Sequence, residues 1–194
     1  VAIVEEEDRR ELEAAAEGYK AVVKDFAGQR AAVEAAARLA QLEAVELKLT
    51  SPRIFGVHEP ATVELKVRNV KETQVRVYRL DAAGYFERKG SLNGADALDV
   101  ALVKSDHSWR HETPGYVRYR AETLSVPLKA GDAALPEGAY LVAAEAERRR
   151  ATVVVIVSKT RLVVKHAPSE IFAWAIDAAT GKPQAGVDVL VRGK

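Results

Sequence analysis

Residues 60–69 read Pro-Ala-Thr-Val-Glu-Leu-Lys-Val-Arg-Asn, and apolar and polar side chains alternate along this stretch. A period of two is typical of a β-strand that has one face on a core and the other face in water. The same alternation precedes this stretch over residues 45–50 and follows it over residues 75–78. These three segments predict strands of an antiparallel sheet with one buried side.

Three further strands are predicted closer to the C-terminus. Residues 121–128 and 139–147 are separated by two turn-forming sequences, at residues 129–132 and at residues 136–138. Residues 151–158 form a continuous run rich in β-branched side chains. Such a run indicates a strand that is buried on both faces, and we expect it to lie at a domain junction.

The N-terminal part of the chain has a helix-forming composition of Ala, Glu, Arg and Leu. Between residues 5 and 28 the apolar residues recur at steps of three and four, as an amphipathic helix requires. These residues are Leu12, Ala15, Ala16, Tyr19, Val22, Val23 and Phe26. Gly28 suits a helix C-terminus, and a second helix is predicted over residues 30–42.

Glycines and Pro114 interrupt the strand pattern between residues 82 and 119. We predict a long insertion between strands there, because long surface connections cost little closure entropy. Leu98, Val100 and Leu102 fit either a strand or a short helix, and the run is too short to decide between them.

A new unit is predicted after residue 159. Two strands are expected over residues 162–164 and 171–177, and a third is expected to begin with Val187, Val189 and Val191. The chain starts with Val1 and contains no methionine, so we read it as a piece of a longer protein.

The predicted organisation therefore has three parts. Residues 1–43 form a helical hairpin, and residues 44–159 form a β-sandwich with an insertion at about residues 82–119. Residues 160–194 begin a second sandwich domain that is truncated. The fold class is mostly β, an antiparallel sandwich preceded by an N-terminal α-helical hairpin.

Composition argues against several classes of partner. The 194 residues carry 29 Lys and Arg against 28 Asp and Glu, and the two signs are interleaved, which argues against nucleic-acid binding. No apolar run approaches the roughly 20 residues that a membrane helix needs, so we expect no membrane insertion. The absence of cysteine excludes disulfides, thiolate metal sites and a cysteine nucleophile.

Residues 60–69, 75–81, 135–158 and 162–189 follow one another with a characteristic order and spacing. In that order they resemble the macroglobulin-type, immunoglobulin-like β-sandwich domains of bacterial alpha-2-macroglobulin-like proteins. The helical lead-in, at residues 19–26 and 31–42, is similar to the tail of a tetratricopeptide-type repeat and covers one repeat at most.

The resemblance implies a large multidomain protein that is periplasmic, cell-envelope-associated or extracellular and that binds or entraps proteases. In that family a bait segment and, in many members, a Cys–Gln thioester carry the chemistry. Neither maps onto this sequence, so the resemblance implies no catalytic, metal or cofactor residue here. The expected partners are proteins, namely neighbouring domains of the same chain and proteases.

Three aromatic residues of the insertion, Trp109, Tyr116 and Tyr119, are candidate protein contacts, because aromatic side chains are favoured interface anchors. They fit equally well a role in covering the end of the sandwich core. Arg148, Arg149 and Arg150, at the expected tip of a hairpin, suit either an acidic partner or a soluble exposed edge, and the second is our default.

The remaining polar residues give weak signals for chemistry. His107 and His111 have a spacing that suits a metal on a helix, but Trp109 and Pro114 disfavour a helix there. We interpret His58 and His166 as turn residues. Asp96 and Asp99 are the close acidic pair of the insertion, and we expect them to be solvated rather than catalytic.

The leading hypothesis is a structural and protein-interaction module. The alternative is a carbohydrate- or surface-binding accessory domain, which would require Trp174 to be exposed beside Phe172. A third hypothesis, an enzyme, would require a deep pocket with converging polar groups at residues 106–119.

Overall fold

The computed structural model describes residues 2–168 and 170–191. It contains three α-helices, a short 3-10 turn at Ala95–Ala97 and eleven strands in these residues. The helices are α1 (Ala2–Asp25), α2 (Arg30–Glu43) and α3 (Ala82–Lys89). The strands are β1 (Glu46–Thr50), β2 (Thr62–Arg68), β3 (Glu72–Leu80), β4 (His107–Glu112), β5 (Ala121–Pro127), β6 (Lys129–Ala130), β7 (Ala133–Ala134), β8 (Gly138–Ala146), β9 (Arg149–Val157), β10 (Thr160–Ala167) and β11 (Glu170–Asp177).

Two antiparallel sheets face each other and enclose the main core. One sheet has the order β1-β2-β5 and the other has the order β4-β3-β8-β9. Inward-facing Leu65, Val77 and Val142 are fully buried, whereas Glu64 on the opposite face of β2 is exposed. The predicted fold class, a mostly β antiparallel sandwich preceded by two helices, is confirmed.

The helical hairpin is joined to the sandwich through its second helix. The side chain of Asn69, just after β2, donates hydrogen bonds to the carbonyl oxygens of Leu42 at 2.7 Å and Ala44 at 3.1 Å. Arg68 also donates to the carbonyl of Gln41 at 3.0 Å. These donors satisfy carbonyl groups that every helix C-terminus leaves without an intrahelical partner.

A second, smaller core lies on the outer face of the four-stranded sheet. Val100 from the insertion packs there against Tyr78, Leu141 and Ala143, with Val154 of β9 partly buried beside them. The β-branched run of β9 therefore has apolar neighbours on both faces. Its outer cover comes from the folded insertion, and a domain junction at this strand remains a prediction.

The insertion contains one strand that the sequence reading missed. β4 pairs antiparallel with β3, with Trp109 opposite Val75 and His111 opposite Thr73. Leu98, Val100 and Leu102 form neither a helix nor a strand. Polar and aromatic residues occupy the inward positions of β4, so no aliphatic alternation marks it in the sequence.

β10 and β11 form a separate antiparallel hairpin after the sandwich. The third strand predicted from residue 187 is wrong, because residues 187–191 adopt no strand. Ser169 and residues 192–194, which the predicted last unit includes, lie outside the described residues. Where the domain boundaries fall remains a prediction.

The arginine run lies partly within a strand rather than wholly at a hairpin tip. Glu147 and Arg148 form the turn, and Arg149 and Arg150 belong to β9. Arg150 is within 3.4 Å of Glu145, its cross-strand neighbour. This ion pair favours the interpretation of a solvated strand end.

Candidate protein-contact surfaces

The three aromatic candidates lie on three different surfaces. Trp109 is partly buried and packs against the main core from β4. Tyr119 is buried and lines a groove with Leu12 and Leu42 of the helical hairpin. Tyr116 lies near Lys71, whose ammonium nitrogen is 5.5 Å from the centroid of its ring.

The sequence left two roles open for these residues, contact with a partner protein or covering the end of the sandwich core, and their environments differ in this respect. Trp109 packs against the main core, which agrees with the second interpretation of these residues, whereas Tyr119 is buried beside the helical hairpin. Tyr119 has a φ of 70°, and its backbone N–H donates to the side-chain oxygen of Asn69 at 2.8 Å. Partial burial raises the pKa of Tyr116 above its ordinary value. A role for the three residues in binding a partner remains a hypothesis.

A cleft of about 540 Å³ opens beside β4, and we call it the edge cleft. Its walls come from β4 on one side and from the end of β5 and the following hairpin on the other. The lining residues are Asp106, His107, Ser108, Trp109, His111, Pro127, Lys129 and Gly131. The insertion therefore does provide a concavity at residues 106–111, which is where the enzyme hypothesis required one.

The geometry of the edge cleft does not support catalysis. Side chains alternate along a strand, so the partly buried His107 and His111 point inward while Ser108 lies on the opposite, exposed face. No serine–histidine pair forms in this arrangement. The two histidines are four strand residues apart, roughly 13 Å, which is too far for one metal ion. The described residues contain no group of three or more His, Cys, Asp or Glu that would hold a metal.

Burial affects the chemistry of His111. Desolvation lowers the pKa of its imidazole below the ordinary value, which favours the neutral ring. Its cross-strand neighbour Thr73 is fully buried, and the Thr73 hydroxyl has no hydrogen-bond partner in the described part of the chain. The Thr73 hydroxyl, which lacks a hydrogen-bond partner among the described residues, therefore lies on the strand next to the neutral imidazole of His111.

The hairpin formed by β10 and β11, residues 160–177, exposes apolar side chains on both faces, and we call it the apolar hairpin. On one face Phe172 is 59% exposed and Trp174 is 39% exposed, with Lys165 placed 5.7 Å from the Trp174 ring centroid. On the other face Leu162, Val164 and Ile171 are about half exposed. Contiguous exposed apolar surface of this kind usually marks an interaction site.

A short connection joins the apolar hairpin to the sandwich. Ser158 and Lys159 are the two residues between β9 and β10. The Lys159 carbonyl accepts from the Ala178 N–H at 2.8 Å, and the Lys159 N–H donates to Glu137 at 3.2 Å. The connector is thus hydrogen-bonded to the hairpin on one side and to the sandwich on the other.

Residues 51–59, which we call the clip loop, brace the same connection. Phe55 is buried, and its N–H donates to the Ile156 carbonyl at 2.9 Å. The Phe55 carbonyl accepts from the Ser158 N–H at 2.8 Å. From the sequence we predicted a strand end and a turn at His58 in this loop but not its pairing with β9, because a pairing between residues roughly one hundred positions apart leaves no local signal.

Within the clip loop, Arg53 and Glu59 form a two-pronged ion pair. Both guanidinium nitrogens donate to the carboxylate at 2.6 Å, and the Gly56 N–H donates to the same group at 2.7 Å. These donors lower the pKa of Glu59 to about 2, and the hydrogen bond from Arg53 has the largest effect. The ion pair fixes the turn that faces the apolar hairpin.

A small cavity of about 300 Å³ lies between the clip loop and the apolar hairpin. Arg53, His58 and Glu59 line it from the loop, and Arg161 and Asp177 line it from the hairpin. Hydrogen bonds from the Thr180 backbone and hydroxyl lower the pKa of Asp177. Arg53 and Glu59 pair with each other and Asp177 accepts from Thr180, which favours a structural contact here over a ligand site.

The other polar candidates are on the surface. His58 lies in the turn of the clip loop, as predicted, whereas His166 lies in β10 and not in the turn that we predicted. Asp96 and Asp99 are both exposed, and the Asp99 side chain accepts from the Ala101 N–H at 2.9 Å. Within the described residues, no helix has the length and apolar character needed to cross a membrane.

Comparison with known proteins places this fold. No family model matches the chain, and no curated protein matches it. A crystal structure of native alpha-2-macroglobulin from Escherichia coli, spanning domains NIE-MG1, is similar with a TM-score of 0.50 and 16% identity, over 73% of this chain and 74% of that chain. A crystal structure of the same protein spanning domains MG0-NIE-MG1 has a TM-score of 0.49 and 13% identity, over 72% of this chain and 48% of that chain.

The likeness supports an alpha-2-macroglobulin-like fold. At this level of identity it concerns the fold alone, since one fold can serve unrelated functions. The fold is therefore a β-sandwich similar to that of domains in bacterial alpha-2-macroglobulin.

Proposed function

We propose that this chain is a structural and protein-interaction module of an alpha-2-macroglobulin-like protein, and that it contributes to protease binding or inhibition. One observation carries the proposal: a two-residue connector, bonded on both sides, holds an uncovered apolar hairpin outside a well-packed sandwich. The mechanism is mechanical, because the sandwich fixes where the apolar surface points.

The connection has the properties of a rigid joint. A linker without Gly-Ser or Pro-rich sequence, held by backbone hydrogen bonds, gives the segment after it little freedom to reorient. The clip loop adds a second attachment through Phe55, so the apolar hairpin and the sandwich are expected to keep a fixed angle. Scaffolding of this kind needs no catalytic residue.

The apolar hairpin supports protein as the class of partner. A two-stranded hairpin is marginally stable alone and gains stability when other protein surface covers it. Both faces are apolar, with Trp174 and Phe172 on one face and Val164 and Ile171 on the other. We propose that neighbouring domains or a protease provide that cover, in the periplasm, the cell envelope or the extracellular space.

The protease part of the proposal is tested by direct binding. Trypsin-type, subtilisin-type and metal-dependent endopeptidases, each inactivated by substitution of a catalytic residue, are immobilised and exposed to the full chain. We expect saturable binding to at least one of them, weakened at least about tenfold by the double substitution V164S/I171S, since central apolar anchors dominate such interfaces.

Leu102→Ser is the matched control for this experiment. Leu102 is fully exposed, but it lies on the insertion and not on the apolar hairpin. Its substitution therefore removes one exposed apolar side chain without touching the proposed surface. Absence of binding to every endopeptidase, or equal loss with L102S, would refute protease binding through the hairpin.

A carbohydrate-binding module is the second candidate, because Trp174 and Phe172 are exposed side by side on one face. An aromatic platform for sugars requires a single exposed face on a sheet that is otherwise covered. The equally exposed Leu162, Val164 and Ile171 on the opposite face favour protein. Affinity electrophoresis in gels containing soluble polysaccharides tests this candidate, which predicts a retardation that Trp174→Ala abolishes.

A further inference from the structure

The two open sides of the sandwich differ. At one side β1 and β9 approach each other, and the Phe55 backbone of the clip loop pairs with β9. At the other side β4 is the last strand of its sheet, and in the described residues it pairs with β3 alone. The outer edge of β4 is therefore unpaired and borders a cleft, and β5, the edge strand of the other sheet, lies on the same side.

An uncovered strand edge is a ready template for another strand. Its outward N–H and C=O groups have no ladder partner, and an extended peptide can supply one. Main-chain hydrogen bonds then give affinity, while a pocket that accepts alternate side chains gives selectivity. β4 offers both features, because the edge cleft of about 540 Å³ runs beside it.

The lining of the edge cleft indicates what such a peptide carries. Trp109 is only partly buried there and presents aromatic surface for an apolar side chain. Lys129 on the opposite wall is exposed and forms no ion pair with the described residues. Asp106 is already engaged, since its carboxylate accepts from the Arg79 N–H at 2.7 Å. Of these two charged groups, only the Lys129 ammonium has neither a hydrogen-bond partner nor an ion-pair partner among the described residues.

We propose that the outer edge of β4 and the edge cleft bind an extended peptide segment of a partner protein, by strand addition, with an apolar side chain over Trp109 and a neighbouring acidic side chain beside Lys129. This inference rests on the proposed function, which it deepens by naming a second contact surface and its mode of recognition. The surface is separate from the apolar hairpin.

A random heptapeptide library displayed on phage, selected against the full chain, tests the proposal. We expect enrichment of sequences with an acidic residue close to an apolar one. A selected peptide, made synthetically, is expected to shift the amide NMR signals of residues 107–112. N-methylation of alternate backbone nitrogens is expected to abolish binding, because strand addition depends on those donors.

Charge reversal at the cleft gives the matched variants. Lys129→Glu is expected to weaken the selected peptide about tenfold, as loss of a complementary rim charge would. Lys165→Glu, on the apolar hairpin, makes the same change of charge elsewhere and is expected to leave affinity within about twofold. Lys129 is exposed, so its substitution does not threaten the fold.

Two results would overturn the proposal: no enriched peptide, or enriched peptides that ignore both N-methylation and Lys129→Glu. Either result leaves the proposed function standing, because that function is tested through Val164 and Ile171 on a different surface. Conversely, loss of protease binding in V164S/I171S with intact peptide binding separates the two sites.

Discussion

The side-chain amide of Asn69 lies 2.7 Å from the carbonyl oxygen of Leu42, and this contact joins the end of β2 to the end of α2. The same side chain accepts from the Tyr119 N–H at 2.8 Å through its oxygen. Asn69 has a φ of 57°, a left-handed conformation that asparagine tolerates better than most residues. One side chain thus connects three segments that are distant in sequence.

Asn69→Ala is expected to destabilise the protein by about 2–4 kcal/mol, because it removes several hydrogen bonds and leaves a β-carbon in a left-handed conformation. Asn69→Gly loses the same bonds but tolerates the conformation, so its loss is expected to be about 1 kcal/mol smaller. Chemical denaturation measures both values. Hydrogen exchange should show faster opening of α2, and equal stability of all three proteins would contradict the assigned role.

The ion pair of Arg53 and Glu59 predicts a stability effect at low pH. The pKa of Glu59 is about 2 in the folded chain and about 4.5 ordinarily, so the unfolded chain binds the proton more readily. The stabilisation is therefore complete above pH 4.5 and is lost as the pH falls towards 2. NMR titration of the Glu59 carboxyl measures its pKa directly.

Arg53→Gln should raise the pKa of Glu59 towards its ordinary value, since Arg53 is the first cause of the depression. Arg30→Gln is the matched control, because Arg30 pairs with Glu34 on the surface of α2, away from the clip loop. An unchanged Glu59 titration in R53Q would show that the bidentate contact is absent in solution.

His111 predicts a second pH effect, close to neutrality. Burial depresses its pKa below 6.5, so the folded state prefers the neutral ring while the unfolded chain gains a proton more easily. Stability is therefore full above pH 6.5 and declines as the pH falls through the folded pKa. Urea denaturation at about pH 7.5 and at about pH 5.5 measures the decline in the free energy of unfolding.

His111→Gln should flatten that pH dependence. His166→Gln removes one histidine from the exposed hairpin and so tests whether the slope belongs to His111. If the slope of stability against pH persists in H111Q and disappears in H166Q, the effect belongs to His166 and the prediction for His111 is wrong.

The insertion gives a contrast between two neighbouring apolar residues. Val100 is buried against Tyr78 and Leu141, whereas Leu102 is fully exposed. Val100→Ala is expected to cost about 1–2.5 kcal/mol through lost packing, and Leu102→Ala is expected to stay within about 0.5 kcal/mol. Thermal and urea denaturation compare them, and the opposite ranking would mean that the insertion does not cover the sheet.

The strands that the sequence predicted share a feature that β4 lacks. In β2 the inward positions hold the aliphatic side chains of Val63, Leu65 and Val67, so their alternation is visible in the sequence. In β4 the corresponding positions hold His107, Trp109 and His111. A strand whose inner face is polar and aromatic carries no hydrophobic period for sequence reasoning to detect.

Residues 187–191 show the opposite failure, a visible alternation without a strand. A new strand needs a free strand edge to pair with, and residues 182–184, just before this segment, already form hydrogen bonds with the outer edge of β11. The Asp177 N–H donates to the Lys182 carbonyl at 2.8 Å, and the Gln184 N–H donates to the Ala175 carbonyl at 2.9 Å. Local pattern indicates β propensity, but the available partner decides whether a strand forms.

The candidate surfaces were predictable only in part. Trp109 could be selected as an aromatic residue in an insertion, but the cleft beside it depends on strand order, which composition does not reveal. The apolar character of residues 162–176 was visible, yet in a sequence it indicates core as readily as a contact surface. Exposure on both faces is a tertiary property.

The rigid joint at Ser158 and Lys159 is the feature on which the scaffold account depends. The chain contains no cysteine, so spin labels at Thr123→Cys in β5 and Lys165→Cys in β10 are unique. Pulsed electron–electron double resonance then measures the distance between the two labels, one on the sandwich and one on the hairpin. A Gly-Ser-Gly-Ser insertion between the two connector residues is the flexible control. A rigid joint gives one narrow distance distribution that broadens in the control, whereas a broad distribution identical in both proteins would show that the hairpin reorients freely.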